Sequence, residues 1–247
     1  MPDLAFVLLS RAERPDLGRL VAALRELGFA EADADAPTEA DGPAVVSLGG
    51  DTRLLVMLMP APPPDAAMMA GPMTPPPDEL AAAPAHYVVT TLGLEGDVRE
   101  KDRTLAALTA AVVRASPATA AMLGHGRLFY DASLFAELAA DAAQHGEVPI
   151  EIVVDVTAAA EPDDRMSFLS HGLERYGRED FFVTAPVSGR GALDFLLGLV
   201  RWMIEDPNKS LPTGDTVGRD AKERIRIQRE PSPVDPARTV VRLDLPS

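Results

Sequence analysis

Between Gly191 and Glu205 the chain carries a segment that constrains its surroundings more than any other. Leu193, Leu196, Leu197, Leu199, Val200, Trp202, Met203 and Ile204 cover most of a helical circumference, while Asp194, Gly198, Arg201 and Glu205 form one narrow polar stripe. A helix apolar over so much of its surface predicts packing on more than one side. Strands flank it. Arg165–Gly172 and Asp180–Ala185 precede it, and Ile150–Val156 opens the same half with period-two alternation. Beyond it, Arg224, Arg226 and Gln228 alternate with Ile225 and Ile227, and Arg242 and Asp244 alternate with Val241, Leu243 and Leu245. Each tail strand is expected to bury one face against the helix and leave its charged face in water.

The first half reads differently. Leu4–Leu9 is a buried strand, and a helix follows with Pro15 and Asp16 at its start, Leu17, Leu20, Val21, Leu24 and Leu27 on one face, and Gly28 at its end. Residues 30–42, acidic and alanine-rich, are expected to form an exposed loop. Val45–Leu48 and Arg53–Met59 make a hairpin around Gly49-Gly50-Asp51. Eight prolines fall between Ala61 and Pro84, among Met68, Met69 and Met73, so 60–84 reads as a long ordered crossing loop with one helical turn at Asp65–Ala70. A lid over a binding groove is the alternative for it. His86–Leu92 is a strand, Arg103–Ala115 a helix and Gly126–Tyr130 a short strand. Asp131 caps a further helix through Ala143, stopped by His145-Gly146.

Strands and helices mix without a steady βαβ rhythm. The expectation is therefore an α+β fold with mixed or antiparallel sheets, helices packed on one face, and two α+β halves, 1–145 and 146–247. The absence of cysteine among 247 residues excludes disulfides, thiolate metal sites and cysteine catalysis. Leu4–Leu9 is too short for a signal segment or a membrane span, so a cytoplasmic, membrane-free protein is expected. The formal charge of −15 disfavours nucleic acid and would draw a basic protein partner. The Arg219–Arg229 run lacks interleaved aromatics and does not alter this.

Residues that could carry chemistry are few. Among His86, His125, His145 and His171, only His171 has a carboxylate at helical spacing, Glu174, and structural metal sites need more local ligands than that. No metal or other cofactor is expected. His171, Glu174, Tyr176 and Glu179, with Asp180 beside them, form the one candidate functional cluster: paired carboxylates can split their pKa values into a general acid and a base, with Tyr176 orienting one of them. The competing reading has Arg175 and Arg178 neutralising these carboxylates in a turn between strands. Ser167, Ser170 and Ser188 lack a nucleophile-elbow context. Val187-Ser188-Gly189-Arg190-Gly191 opens a helix and could hold an anion, but has no Lys or phosphate-loop spacing. Asp215 and Asp220 lack the ligand density of a calcium loop.

Several short signatures, read in order, resemble the bacterial domain-of-unknown-function family 4261: Phe6–Gly28, Leu55–Pro64, Ala85-His86-Tyr87-Val88-Val89, the helix after Lys101, Gly126-Arg127-Leu128-Phe129-Tyr130, and Leu173–Val183 with the long helix, Gly214-Asp215-Thr216-Val217-Gly218 and the terminal strands. The closing block also resembles, more faintly, suppressor-of-fused-type domains, although their Trp-rich surroundings are here reduced to Trp202. The second resemblance implies a relation to immunity proteins that neutralise bacterial toxins. Neither supplies a catalytic residue. The leading expectation is a non-catalytic cytoplasmic protein-binding module, immunity-like or accessory to a toxin or secretion system. The alternatives are a hydrolase or lyase using His171 with Glu174 or Glu179, and a structural component of a bacterial assembly. Oligomeric state is left open.

Overall fold

A computed structural model describes residues 3–34, 42–70, 74–187 and 191–246. They form an α+β fold of two units, Met1–Val153 and Val154–Ser247.

In the first unit seven strands make one antiparallel sheet: β1 (Leu4–Leu9), β2 (Asp33–Ala34), β3 (Ala44–Ser47), β4 (Arg53–Met59), β5 (Ala85–Leu92), β6 (Ala118–Leu123) and β7 (Tyr130–Asp131), in the order β2-β3-β4-β5-β1-β6-β7. Helices α1 (Leu17–Glu26), α3 (Val98–Arg114) and α4 (Ala132–His145) lie on one face; α2 (Pro77–Ala81) and α5 (Ile150–Val153) are single turns. Strand alternation delivers Ala5, Val7 and Leu9 of β1, Leu54 and Val56 of β4, and Tyr87 and Val89 of β5 to the helix side, all buried. The Tyr87 hydroxyl donates to the Glu13 carbonyl at 2.6 Å, tying the lead-in of α1 to the sheet. Burial, with the nearby Glu13 charge, holds that phenol protonated well above its ordinary range.

The hairpin β3–β4 forms where Gly49-Gly50-Asp51 places it, and a short 3-10 helix at Ala66–Met69 occupies the expected turn of the Pro/Met segment. Three readings need correction. The helix assigned from Arg103 starts five residues earlier, because Asp97 and Glu100 form a reciprocal capping box. The strand expected at Gly126–Tyr130 is reduced to β7, and the true strand is β6. Its alanines resemble helix by propensity, yet their small size lets α3 and α4 pack close against it. Ile150–Val156 begins as the helical turn α5, in which Pro149 sits at the start and its carbonyl accepts from Ile152 and Val153; a short apolar run does not distinguish the two periods when it is buried all round. Within residues 30–42, Asp33 and Ala34 join the sheet and 35–41 lie outside the described residues.

The second unit is built on β8 (Asp155–Glu161), β9 (Arg165–His171), β10 (Asp180–Pro186), β13 (Gln228–Pro231) and β14 (Thr239–Asp244), in the order β13-β14-β10-β9-β8. All neighbours are antiparallel except β10 and β14, which run parallel. A two-stranded ribbon, β11 (Thr216–Val217) with β12 (Ile225–Arg226), completes it. Helix α6 (Ala192–Glu205) packs against β10 with Ala192, Leu196, Val200, Met203 and Ile204. It is buried along one stripe and not on several sides: Leu193 and Trp202 remain exposed, and the Lys209 ammonium stands 5.6 Å from the Trp202 ring. The other sheet face sets charged pairs around a small buried apolar cluster of Leu169, Phe182 and Val240. There Arg242 lies over the Phe182 ring and pairs with both Asp244 and Glu230. Burial pushes the Asp244 carboxyl up, but hydrogen bonds from Arg242 and Thr184 outweigh it and hold the group below the ordinary carboxylate range.

Candidate functional site

The cluster read from the sequence sits on the β9–β10 connection. Strand β9 ends at His171, Gly172 takes φ 114°, Leu173–Tyr176 make a 3-10 turn, and Gly177 at φ 69° returns the chain to β10. Side-chain hydrogen bonding keeps this reversal in shape. The Ser170 hydroxyl accepts from the Phe181 amide at 2.8 Å and donates to Asp180 at 3.2 Å; the same carboxylate accepts from the Leu173 amide at 3.1 Å. Asp180 is only 6% exposed, so these donors and Arg238, at 3.3 Å, offset its desolvation.

His171, Glu174 and Glu179 are held by three different side chains. His171 is buried and its Nε2 lies 3.0 Å from the Thr157 hydroxyl on the neighbouring strand. Glu174 is exposed and pairs with Arg238, which thereby bridges Glu174 and Asp180. Glu179 pairs with Arg229 at 2.8 Å, and Arg229 also donates to Thr213. Tyr176 is half-buried on the 3-10 turn. The structure thus gathers Glu174 and Asp180 on one guanidinium and places Glu179 on another.

Two of the arginines that pair with these carboxylates, Arg238 and Arg229, come from the C-terminal segments, which the spacing did not suggest. Arg178 has a different task. Its guanidinium donates to the carbonyls of Met203, Asp206 and Pro207 at 3.3, 3.1 and 2.7 Å, closing the C-terminal end of α6, whose last turn contains no basic residue of its own. Arg238 and Arg229 lie fifty or more residues along the chain from their acids, so no local spacing signals the pairs. Among the described residues no three His, Asp or Glu side chains are placed to hold a metal ion. The anion-binding turn read at 187–191 falls largely outside the described residues.

A second feature lies on the first unit, on the sheet face away from the helices. Over β1 and β6 this face is covered: Leu8, Ala120, Met122 and Phe129 are buried beneath Ala66, Leu80 and Ala83 of the Pro/Met segment, with Met69 and Ala70 alongside. His86 helps fix that cover, its Nδ1 lying 2.5 Å from the Ala61 carbonyl. Toward β4 the cover stops. Pairing places Met57 beside Val88 and Phe6, and Met59 beside His86 and Leu8, in rows across three strands. Met57 is 46% exposed, Met59 38% and Leu92 56%, and Met68 projects from the crossing segment at 83%. The segment therefore packs as a partial cover on the sheet and leaves an apolar, methionine-rich strip uncovered beside it. The unit bearing this strip has 22 acidic against 10 basic residues.

A small cleft of about 200 Å³ opens on the helix side between Arg14, Pro15, Ala44, Val56 and Leu58, and it contains a single charged side chain. No helix among the described residues is long and apolar enough to cross a membrane. No protein-family model matches the chain, and neither a curated protein nor a solved structure matches it significantly.

Proposed function

We propose that this protein is a non-catalytic protein-binding module that engages a basic partner through its first unit. The observation that carries the reading is the uncovered strip of Met57, Met59 and Leu92, set in a unit with a twelve-charge acidic excess. Methionines suit a binding surface because their unbranched, polarisable side chains adapt to irregular apolar shapes. The acidic surroundings raise the encounter rate of a cationic partner and select against acidic ones. The arginine-paired state of Glu174, Glu179 and Asp180 favours this reading over a hydrolase or lyase, since a general base needs a carboxylate not already committed to a guanidinium. The resemblance to family 4261 and to suppressor-of-fused-type domains supports a cytoplasmic role as an immunity-like or toxin-system accessory protein.

The test is a comparison in the native cell between the wild-type chain and a Met57→Glu/Met59→Glu variant, purified in parallel at low and high salt. One basic protein should accompany the wild type at low salt and be lost from the variant, with both chains equally folded by circular dichroism. Recovery of the same proteins with both chains, or of the free chain alone, overturns the proposal.

A further inference from the structure

The second unit carries a sheet edge that is unprotected along its middle, its charges standing only at the ends, Asp155 and Glu161. Strand β8 is the outermost strand beside β9, seven residues long and paired to β9 over its whole length from Asp155–His171 to Glu161–Arg165. Along its outer side every second residue presents an N–H and a C=O, and among the described residues no strand lies beyond them. Natural edges are blunted by shortness, lysines, prolines or bulges. Here Val156, Thr157, Ala158, Ala159 and Ala160 include no charge and no proline, the register to β9 runs without a shift, and Thr157 to Ala160 are exposed. Three consecutive alanines keep both faces low, so a partner strand could lie alongside and lay larger side chains over them.

Charge decides which partner fits. Beyond Ala160 the chain turns through Glu161-Pro162-Asp163-Asp164, with Asp163 and Asp164 in the left-handed region at φ 59° and 54° and exposed. A second copy added antiparallel about Ala158 would set its Asp155 opposite Glu161, with Asp163 and Asp164 next to them, twice over. Such like-charge juxtaposition at both ends opposes self-association. A strand ending in lysine or arginine meets the same acidic turn favourably.

We propose that β8 is a β-augmentation site that takes an extended, basic-ended segment of another protein as a sixth strand. Main-chain hydrogen bonds supply the attachment, and the Glu161–Asp164 turn supplies polarity and partner choice. The inference rests on the second unit alone and goes beyond the methionine strip, so either can fail without the other.

The test uses the full chain with a probe peptide of alternating threonine and valine ending in lysines, and the same peptide ending in glutamates. The lysine-ended peptide should bind in a salt-dependent manner and slow amide hydrogen exchange in residues 156–160, and the glutamate-ended one should not. Ala158→Pro and Ala159→Pro remove one inward and one outward amide between them, and the outward one should abolish binding. Asp163→Asn/Asp164→Asn keeps residues that tolerate positive φ and leaves the ladder untouched; it should weaken binding by about two- to fivefold, the size expected of exposed charge pairs. This pair carries the test should a proline variant fail to fold. Equal binding of both peptides, protection elsewhere in the chain, indifference to the asparagine pair, or a concentration-dependent dimer broken by proline overturns the proposal.

Discussion

Replacing Arg178 with alanine tests whether the β9–β10 connection is held in place by the end of α6. The guanidinium makes three hydrogen bonds to carbonyls that have no partner within the helix, two of them part-buried. Hydrogen bonds from a charged donor contribute about 1.5–3 kcal/mol each where water is excluded, but one of these three is exposed and the others compete with solvent. A cation at a helix C-terminus adds about 0.3–1 kcal/mol. Discounting for exposure, Arg178→Ala should destabilise the second unit by about 2 kcal/mol. For a unit of this size that lowers its melting temperature by about 10 °C. Arg178→Lys keeps the charge but not the fork, and should recover less than half of the loss. The assay is scanning calorimetry of the full chain, with hydrogen exchange of the last turn of α6 as the local readout. Arg201→Ala, which removes a 3.8 Å surface pair with Glu205, serves as the control and should cost under about 0.5 kcal/mol. A melting temperature of Arg178→Ala within about 1 °C of wild type, with exchange at Met203 and Ile204 unchanged, refutes the reasoning.

Three further outcomes are expected. Arg238→Ala removes a hydrogen-bonded guanidinium from buried Asp180 and should cost about 1–3 kcal/mol by chemical denaturation, whereas Glu174→Gln, at the exposed end of the same bridge, should cost under about 1 kcal/mol. Asp97→Ala removes the cap of α3 and should cost about 1 kcal/mol; because hydrogen bonding from Arg99, then from the Glu100 amide, holds the carboxyl at about 2, that contribution is complete above the ordinary carboxylate pKa and fades as the pH falls toward 2, which denaturant titrations across acid pH would show. Gly93→Ala should cost about 1–3 kcal/mol by the same assay, since the residue sits at φ 69° and an added Cβ would lie 2.6 Å from the Asp51 carbonyl oxygen.

Much of the fold was legible because it is written in local periods. The β3–β4 hairpin follows from its Gly-Gly-Asp turn, α4 from the Asp131 cap and the left-handed Gly146, and β9, β10 and α6 from runs whose periods differ plainly. What escaped was either short or non-local. β6 is alanine-rich because of what packs on it, a tertiary reason that outweighs its propensity. α5 is too brief for its period to show. α6 looks surrounded in sequence, yet Leu193 and Trp202 face outward, since composition reports how apolar a helix is and not how many neighbours it has. The candidate cluster was legible as acids and a histidine in one turn. Its arginine partners were not, because pairs such as Glu174 with Arg238 are made by the sheet order and not by the chain's own spacing. The open methionine strip was likewise invisible, as it depends on where the Pro/Met cover happens to stop.

The parallel contact between β10 and β14 has a consequence for how the molecule is made. β14 is the final strand in the described chain, yet it lies inside the sheet, with β13 reaching the rest only through it. Until residues 239–244 have left the ribosome, β10 offers Phe181 and Val183 beside an unfilled lane, and β13 has nowhere to dock. Closure of this sheet thus waits on its latest-made strand: a nascent form that lacks residues 239–244 exposes sticky backbone along β10.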